Sequence, residues 1–267
     1  MRPEEVFPFK HLARTLDSFQ VPAGPFDPQG SWAAGFDLVE RGFRTNSLGT
    51  LFLARTAAGT GRARLRYALR RRGGGGIMRA EGEVQCATDA LSSPLTWTVA
   101  TWAEKPDGTE IPDSRLAERL EVHGQGLRVQ GEGRERRLAV DPPLALDWCL
   151  FDAVQRLPRQ PRPDLRFALL DRLGASAKPG QVLAFRQSVS LALGGRRAWA
   201  EEAEPLEAGT RFRPVERLEG ATEMGLHAFE HWGTGVLPTT YWVSDRGQLL
   251  FVLSGMSGWI WNPQVQA

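Results

Sequence analysis

Apolar and polar residues alternate with period two through most of this sequence, and a helical spacing interrupts the alternation once, so the chain is committed to a β architecture with a single helix. Thr50–Thr56 and Gly61–Leu69 read as strands. The second sets Arg62, Arg64 and Arg66 on one face and Ala63, Leu65 and Tyr67 on the other. A flexible turn at Gly73–Gly76 leads into Ile77–Ala87 and Leu95–Ala103. Hairpins are expected from Arg119–Val122, Leu127–Gln130 and Arg137–Val140, which flank glycine turns. The interruption is Asp147–Pro158, where Trp148, Phe151, Val154 and Leu157 recur at spacings of three, with Asp147 as N-cap, Asp152 on the helix surface and Pro158 as the stop. Strands resume at Leu165–Leu170, Gln181–Leu193, Ala198–Ala203, Arg211–Leu218, Met224–Trp232, Thr239–Ser244 and Gln248–Leu253, and Trp259-Ile-Trp261 closes the chain as a last strand.

So many strands in one chain must curl, close or split into two layers. The expected fold is mainly β: a long curved antiparallel sheet, a half-barrel or wrapped barrel, packed around one central helix near residues 147–157. The expected organisation is an extended proline- and aromatic-rich segment over 1–31 and a single large antiparallel β domain over 32–262. No repeat of fixed period is present, which argues against a propeller or solenoid.

With 267 residues and 42% hydrophobic content, the chain can bury a core without disulfide or metal staples. Cys86 and Cys149 have no second sulfur or zinc-spaced histidine nearby, and Cys149 beside Trp148 and Leu150 reads as a small buried hydrophobe. Met1–Gln20 lacks the apolar run of a secretory leader, and no window approaches a membrane-spanning length. A cytoplasmic location is expected from the chain as written, and a cell-envelope or periplasmic one if a leader has been removed.

Charge is unevenly spread. Residues 41–80 hold ten arginines and no acidic residue against a chain total of +2, so the remainder carries −8. Within the strip Arg41–Arg79, Arg62, Arg64, Arg66, Arg70, Arg71 and Arg72 are candidates for an anion-binding surface toward nucleic acid or anionic lipid. The competing expectation is a solvated sheet face whose arginines pair with Glu81, Glu83, Glu118, Glu121 or Glu201. Single-stranded nucleic acid needs interleaved exposed aromatics. The strip offers only Phe43, Phe52 and Tyr67, and alternation predicts burial for the last two. Nucleic acid is therefore not an expected partner.

His227-Ala-Phe-Glu-His231 matches H-x-x-E-H, in which a helix carries two zinc-ligating imidazoles and a general-base glutamate. His227, Glu230 and His231 are thus candidate residues of a metal-dependent hydrolase. The surrounding alternation predicts a strand, which would separate the imidazoles by about 13 Å, and no glutamate follows Glu230. No metal or other cofactor is expected. No nucleophile elbow, P-loop or dinucleotide fingerprint is present, and no catalytic residue is assigned; Asp141, Asp147 and Asp152 do not read as paired acids.

Three segments carry a family likeness: Trp148-x-Leu-Phe-Asp-Ala-Val-Gln-Arg-Leu-Pro158, the turn Lys178-Pro-Gly-Gln181, and Gly235-x-Leu-Pro-Thr-Thr-Tyr-Trp-Val243 running into Gly247-Gln-Leu-Leu-Phe-Val-Leu-Ser-Gly255. Together they resemble an uncharacterised β-rich protein family of planctomycete-type bacteria, and more loosely the half-barrels of lipoprotein carriers. The resemblance spans about Trp32 to Trp261. It implies a long curved sheet wrapping a helix, supplies no catalytic residue, and suggests a cell-envelope setting. The nine tryptophans are expected to pack mostly in the core, Trp148, Trp259 and Trp261 first. The leading functional expectation is a non-catalytic binding or structural protein that holds an apolar or lipid-like small molecule on its curved sheet.

Overall fold

The computed structural model describes residues 19–40, 48–73, 75–124, 126–131, 133–140, 142–170, 176–206, 209–255 and 257–266, and no side chains at 197, 200, 202–206 and 209–218. The expectations on Met1–Ser18, on Arg41, Phe43 and Arg44, and on Asp141 lie outside the described residues. The first half contributes β1 (Trp32–Glu40), β2 (Gly49–Ala57), β3 (Arg62–Gly73), β4 (Gly76–Ala87), β5 (Pro94–Glu104), β6 (Leu116–His123), β7 (Gly126–Gly131) and β8 (Arg134–Ala139). A short β9 (Leu144–Leu146) leads into helix α1 (Asp147–Arg156). Then follow β10 (Leu165–Leu170), β11 (Ala177–Leu193), β12 (Arg196–Leu206), β13 (Gly209–Glu219), β14 (Thr222–Trp232), β15 (Thr239–Ser244), β16 (Leu249–Ser254) and β17 (Ser257–Trp261).

Fifteen of these strands form one large, curved, unclosed sheet in the order β8-β7-β6-β5-β4-β3-β2-β1-β17-β16-β15-β14-β11-β10-β9, and β12 pairs with β13 in a two-stranded sheet. Sequence neighbours pair from β1 to β8 as a meander, and β17 returns to lie against β1. The chain divides into two compact units, residues 1–24 with 189–226 and residues 25–188 with 227–267. No described helix is long and apolar enough to cross a membrane.

The second unit carries the core. On β2 and β3 alternation sends Leu51, Leu53, Leu65, Tyr67 and Leu69 inward. Helix α1 presses against this inner face: Phe151 meets Phe36 of β1, Tyr241 of β15 and Trp148 edge-on, with ring centroids 5.6–5.8 Å apart. Trp148 also packs on Tyr67, 5.6 Å away, whose hydroxyl accepts a hydrogen bond from Trp97 Nε1 at 3.0 Å. Tyr67 lies directly across from Gly82, and a Cβ there would fall 2.5 Å from the tyrosine hydroxyl. The missing side chain is what lets the ring lie flat on β4, a pairing that also helps a sheet bend.

Four expectations change. The N-cap of α1 is Leu146 with no side-chain cap, and Asp147 sits inside the first turn, where its charge favours the positive end of the helix dipole. Asp152 is completely buried rather than on the helix surface, because two guanidinium groups meet it there. Phe52 faces outward and is only half-buried, having the opposite parity to Leu51 and Leu53 on β2. The sheet is not wholly antiparallel, since β9 pairs with β10 in parallel; α1 provides the crossover that such a pair needs. Trp148 and Cys149 are buried as expected, while Trp259 and Trp261 pack partly buried against the core.

Candidate functional site

The outer face of β2 to β7 is shaped by which residues fall in register. One row across the strands reads Phe52, Ala68, Glu81, Ala100, Ala117, and the next reads Arg66, Glu83, Thr98, Arg119, Gln130. Three alanines and a threonine at outward positions leave the backbone uncovered, and an open depression of about 710 Å³ lies over them. Five charged residues line it. Three have partners: Glu83 with Arg64 at 3.3 Å, Glu118 with Arg136 at 2.7 Å, and Arg119 with Glu121 at 2.9 Å. Arg66 and Glu81 form no ion pair among the described residues.

Strand parity splits the arginine strip. Arg62, Arg64, Arg66, Arg70 and Arg72 project from the outer face of β3, whereas Arg71 has the opposite parity and pairs with Glu40 at 3.0 Å. Arg79 grips Glu104 with both carboxylate oxygens 3.0 Å from its Nε, and Trp102 Nε1 donates to the same carboxylate at 3.0 Å. The Arg79 hydrogen bond holds the Glu104 carboxyl below the usual range. Of the acids expected to neutralise the strip, Glu83 does so through Arg64, while Glu118 and Glu121 pair with arginines outside it.

Arg55 leaves the strip altogether. It occupies an inward position of β2, is 2% exposed, and sits 3.1 Å from Asp152 while donating to the carbonyls of Gln29 and Gly30. Asp152 Oδ2 also accepts from Ser92 Oγ at 2.6 Å and from Arg156 Nε at 3.2 Å, and Arg156 reaches the carbonyls of Thr88 and Asp89. A carboxylate held between two guanidiniums in this way ties α1 to the sheet and to the turn after β4.

The H-x-x-E-H segment runs as strand, in β14, and its three candidate residues have separate partners. His231 is buried, with Nε2 3.0 Å from Gln181 Oε1 and its ring 5.3 Å from Phe167. Burial pulls its pKa below the ordinary histidine value. Glu230 accepts from Arg186 Nε at 2.6 Å, and that guanidinium lies over the Trp232 ring. His227 stands between Ser188 Oγ, 2.8 Å from Nδ1, and Asp245 Oδ1, 2.9 Å from Nε2. A hydroxyl, imidazole and carboxylate in line are the groups of a nucleophilic relay. Here the carboxylate side chain is 65% exposed, so water screens the field a relay depends on, and the line works as a tie from β14 to β11 and to the β15–β16 turn. No cluster of three or more metal-ligating side chains forms among the described residues.

Both thiols are free and buried. Burial pushes Cys86 up to about 12 and Cys149 well above its ordinary value, so each stays a neutral thiol that packs rather than reacts.

Two features here had no motif to announce them. The depression is foreshadowed only by alanines at 68, 100 and 117, outward positions where charged residues would be ordinary. The buried Arg55 is foreshadowed by its parity, since it follows Leu51 and Leu53 on the inner face.

No family model and no curated protein matches the chain. Among solved structures the fold is similar to a β-barrel-like protein of a domain of unknown function, DUF1849, from Brucella abortus, with a TM-score of 0.50 and 7% sequence identity over 88% of this chain and 95% of that one. The fold is therefore β-barrel-like. The likeness to uncharacterised β-rich proteins agrees with this neighbour, and the planctomycete-type affiliation rests on the sequence segments alone.

Proposed function

We propose that this chain is a non-catalytic binding protein that holds an apolar, lipid-like molecule on the outer face of its curved sheet, in the depression floored by Ala68, Ala100 and Ala117. That depression is the observation that carries the reading. On the inner face of the sheet the fold's own side chains occupy the volume: Trp148, Phe151 and Val154 of α1 fill it against Phe36, Tyr67 and Tyr241. A ligand entering there would have to displace the helix. On the outer face nothing needs to move, and small side chains beside Phe52 offer the concave, largely apolar contact that binds an alkyl chain.

His227, Glu230 and His231 each engage a different side chain, which disfavours a metal-dependent hydrolase built on them. Calorimetric titration of the full chain with dodecyl maltoside below its micellar concentration tests the proposal. Ala100→Trp fills the depression from an outward position and leaves the core alone, so binding should weaken by about tenfold or more while the denaturation midpoint stays near that of the parent. Unchanged affinity in this variant, or no binding by the parent protein, would refute the assignment.

A further inference from the structure

Arg66 and Glu81 distinguish themselves within the depression. Three of the five charged residues lining it are neutralised by ion pairs, and these two, on adjacent strands, form none among the described residues. They are diagonal neighbours, since Arg66 faces Glu83 and Glu81 faces Ala68. Such positions stand about 7–8 Å apart, and the side chains are not ion-paired to each other. Of the arginines nearby, Arg79 is held by Glu104 at 3.0 Å, and Arg115, which feels the charge of Glu81, is held by Glu110 at 2.8 and 3.1 Å and lies over Trp102. Phe52 is in the same row as Glu81, one strand beyond Ala68, and lines the same depression.

An unpaired cation, an unpaired anion and an aromatic ring around an apolar floor match a molecule with both charges on its head. We infer that the ligand is a zwitterionic amphiphile: a phosphate- or carboxylate-type anion meets Arg66, an ammonium sits over Ala68 between Glu81 and Phe52, and the chain runs over Ala100 and Ala117. The guanidinium supplies planar donors for the oxyanion. The carboxylate and the ring are the two groups that attract an alkylammonium. A purely anionic ligand would face the unneutralised Glu81, and a purely cationic one would face Arg66.

This inference rests on the depression being the binding site, and the test separates the two. The full chain is titrated calorimetrically with four amphiphiles that share a dodecyl chain: dodecylphosphocholine, dodecanoate, dodecyltrimethylammonium and dodecyl maltoside, each below its micellar concentration. Dodecylphosphocholine should bind about tenfold tighter than the other three, the combined effect of two partly exposed charge contacts. Glu81→Gln should abolish its advantage over dodecanoate, and Arg66→Gln its advantage over dodecyltrimethylammonium; both are surface changes that leave the core intact. Equal affinity for all four would overturn the zwitterion while leaving the depression as the site. Tightest binding of dodecanoate or of dodecyltrimethylammonium would overturn it in favour of a singly charged ligand. No binding by any of them would overturn this inference and the function proposed above together.

Discussion

Replacing Asp152 by asparagine is expected to lower the folding stability by about 3–5 kcal/mol. The substitution keeps the size and an acceptor oxygen for Ser92, and it removes only the charge. Arg55 would then be a guanidinium at 2% exposure that has lost its Asp152 anion, and Arg156 would lose the same partner. Leaving a buried charge uncompensated is costlier than the intact pair is stabilising, since the pair itself mostly offsets its own desolvation. Because single domains are stable by only about 5–15 kcal/mol, the variant should unfold at markedly lower urea concentration. Adding Arg55→Met to Asp152→Asn should recover part of the loss, because the stranded charge is then gone as well. A shift of the single variant below about 1 kcal/mol would mean that water reaches this network and that it does not anchor the helix.

The second large effect concerns the other side of α1. Trp148→Ala should cost about 3–5 kcal/mol, measured by the same denaturation. The indole is 2% exposed and contacts Tyr67 and Phe151, so truncation leaves a void lined by rings that are fixed by other partners: Tyr67 by Trp97 and Gly82, Phe151 by Phe36 and Tyr241. A site so constrained collapses poorly, and the cost of a cavity grows with what cannot relax into it. Loss of less than about 1 kcal/mol would show that the helix is loosely seated, and would reopen the concave face as a place for a ligand.

Strand parity made most of this fold legible. Arg62, Arg64 and Arg66 against Ala63, Leu65 and Tyr67 announce a sheet with one wet side, and the three-residue spacing of Trp148, Phe151 and Val154 announces the helix that covers the dry side. Polar residues on buried faces were harder to read. Asp152 looks like any helix-surface carboxylate until Arg55 is brought to it from nearly a hundred positions earlier, and that meeting is a property of the tertiary fold. β9 is three residues long, too short for alternation to declare itself, so its parallel pairing with β10 was invisible. The H-x-x-E-H letters misdirect for the opposite reason: a local pattern carries metal chemistry only on a helix, and β14 gives each of its side chains a different neighbour. The candidate binding site was least legible of all, since it is made of alanines whose significance appears only when five strands are placed in register.

The helix seals the inner face of the sheet, and the proposed ligand lies on the outer one. Intermolecular nuclear Overhauser effects between dodecylphosphocholine and the methyl- and aromatic-labelled protein test it most directly. The alkyl protons should show contacts to the methyl groups of Ala68, Ala100 and Ala117 and none to the rings of Trp148 or Phe151. Contacts to those two rings, with the alanine methyls silent, would contradict it.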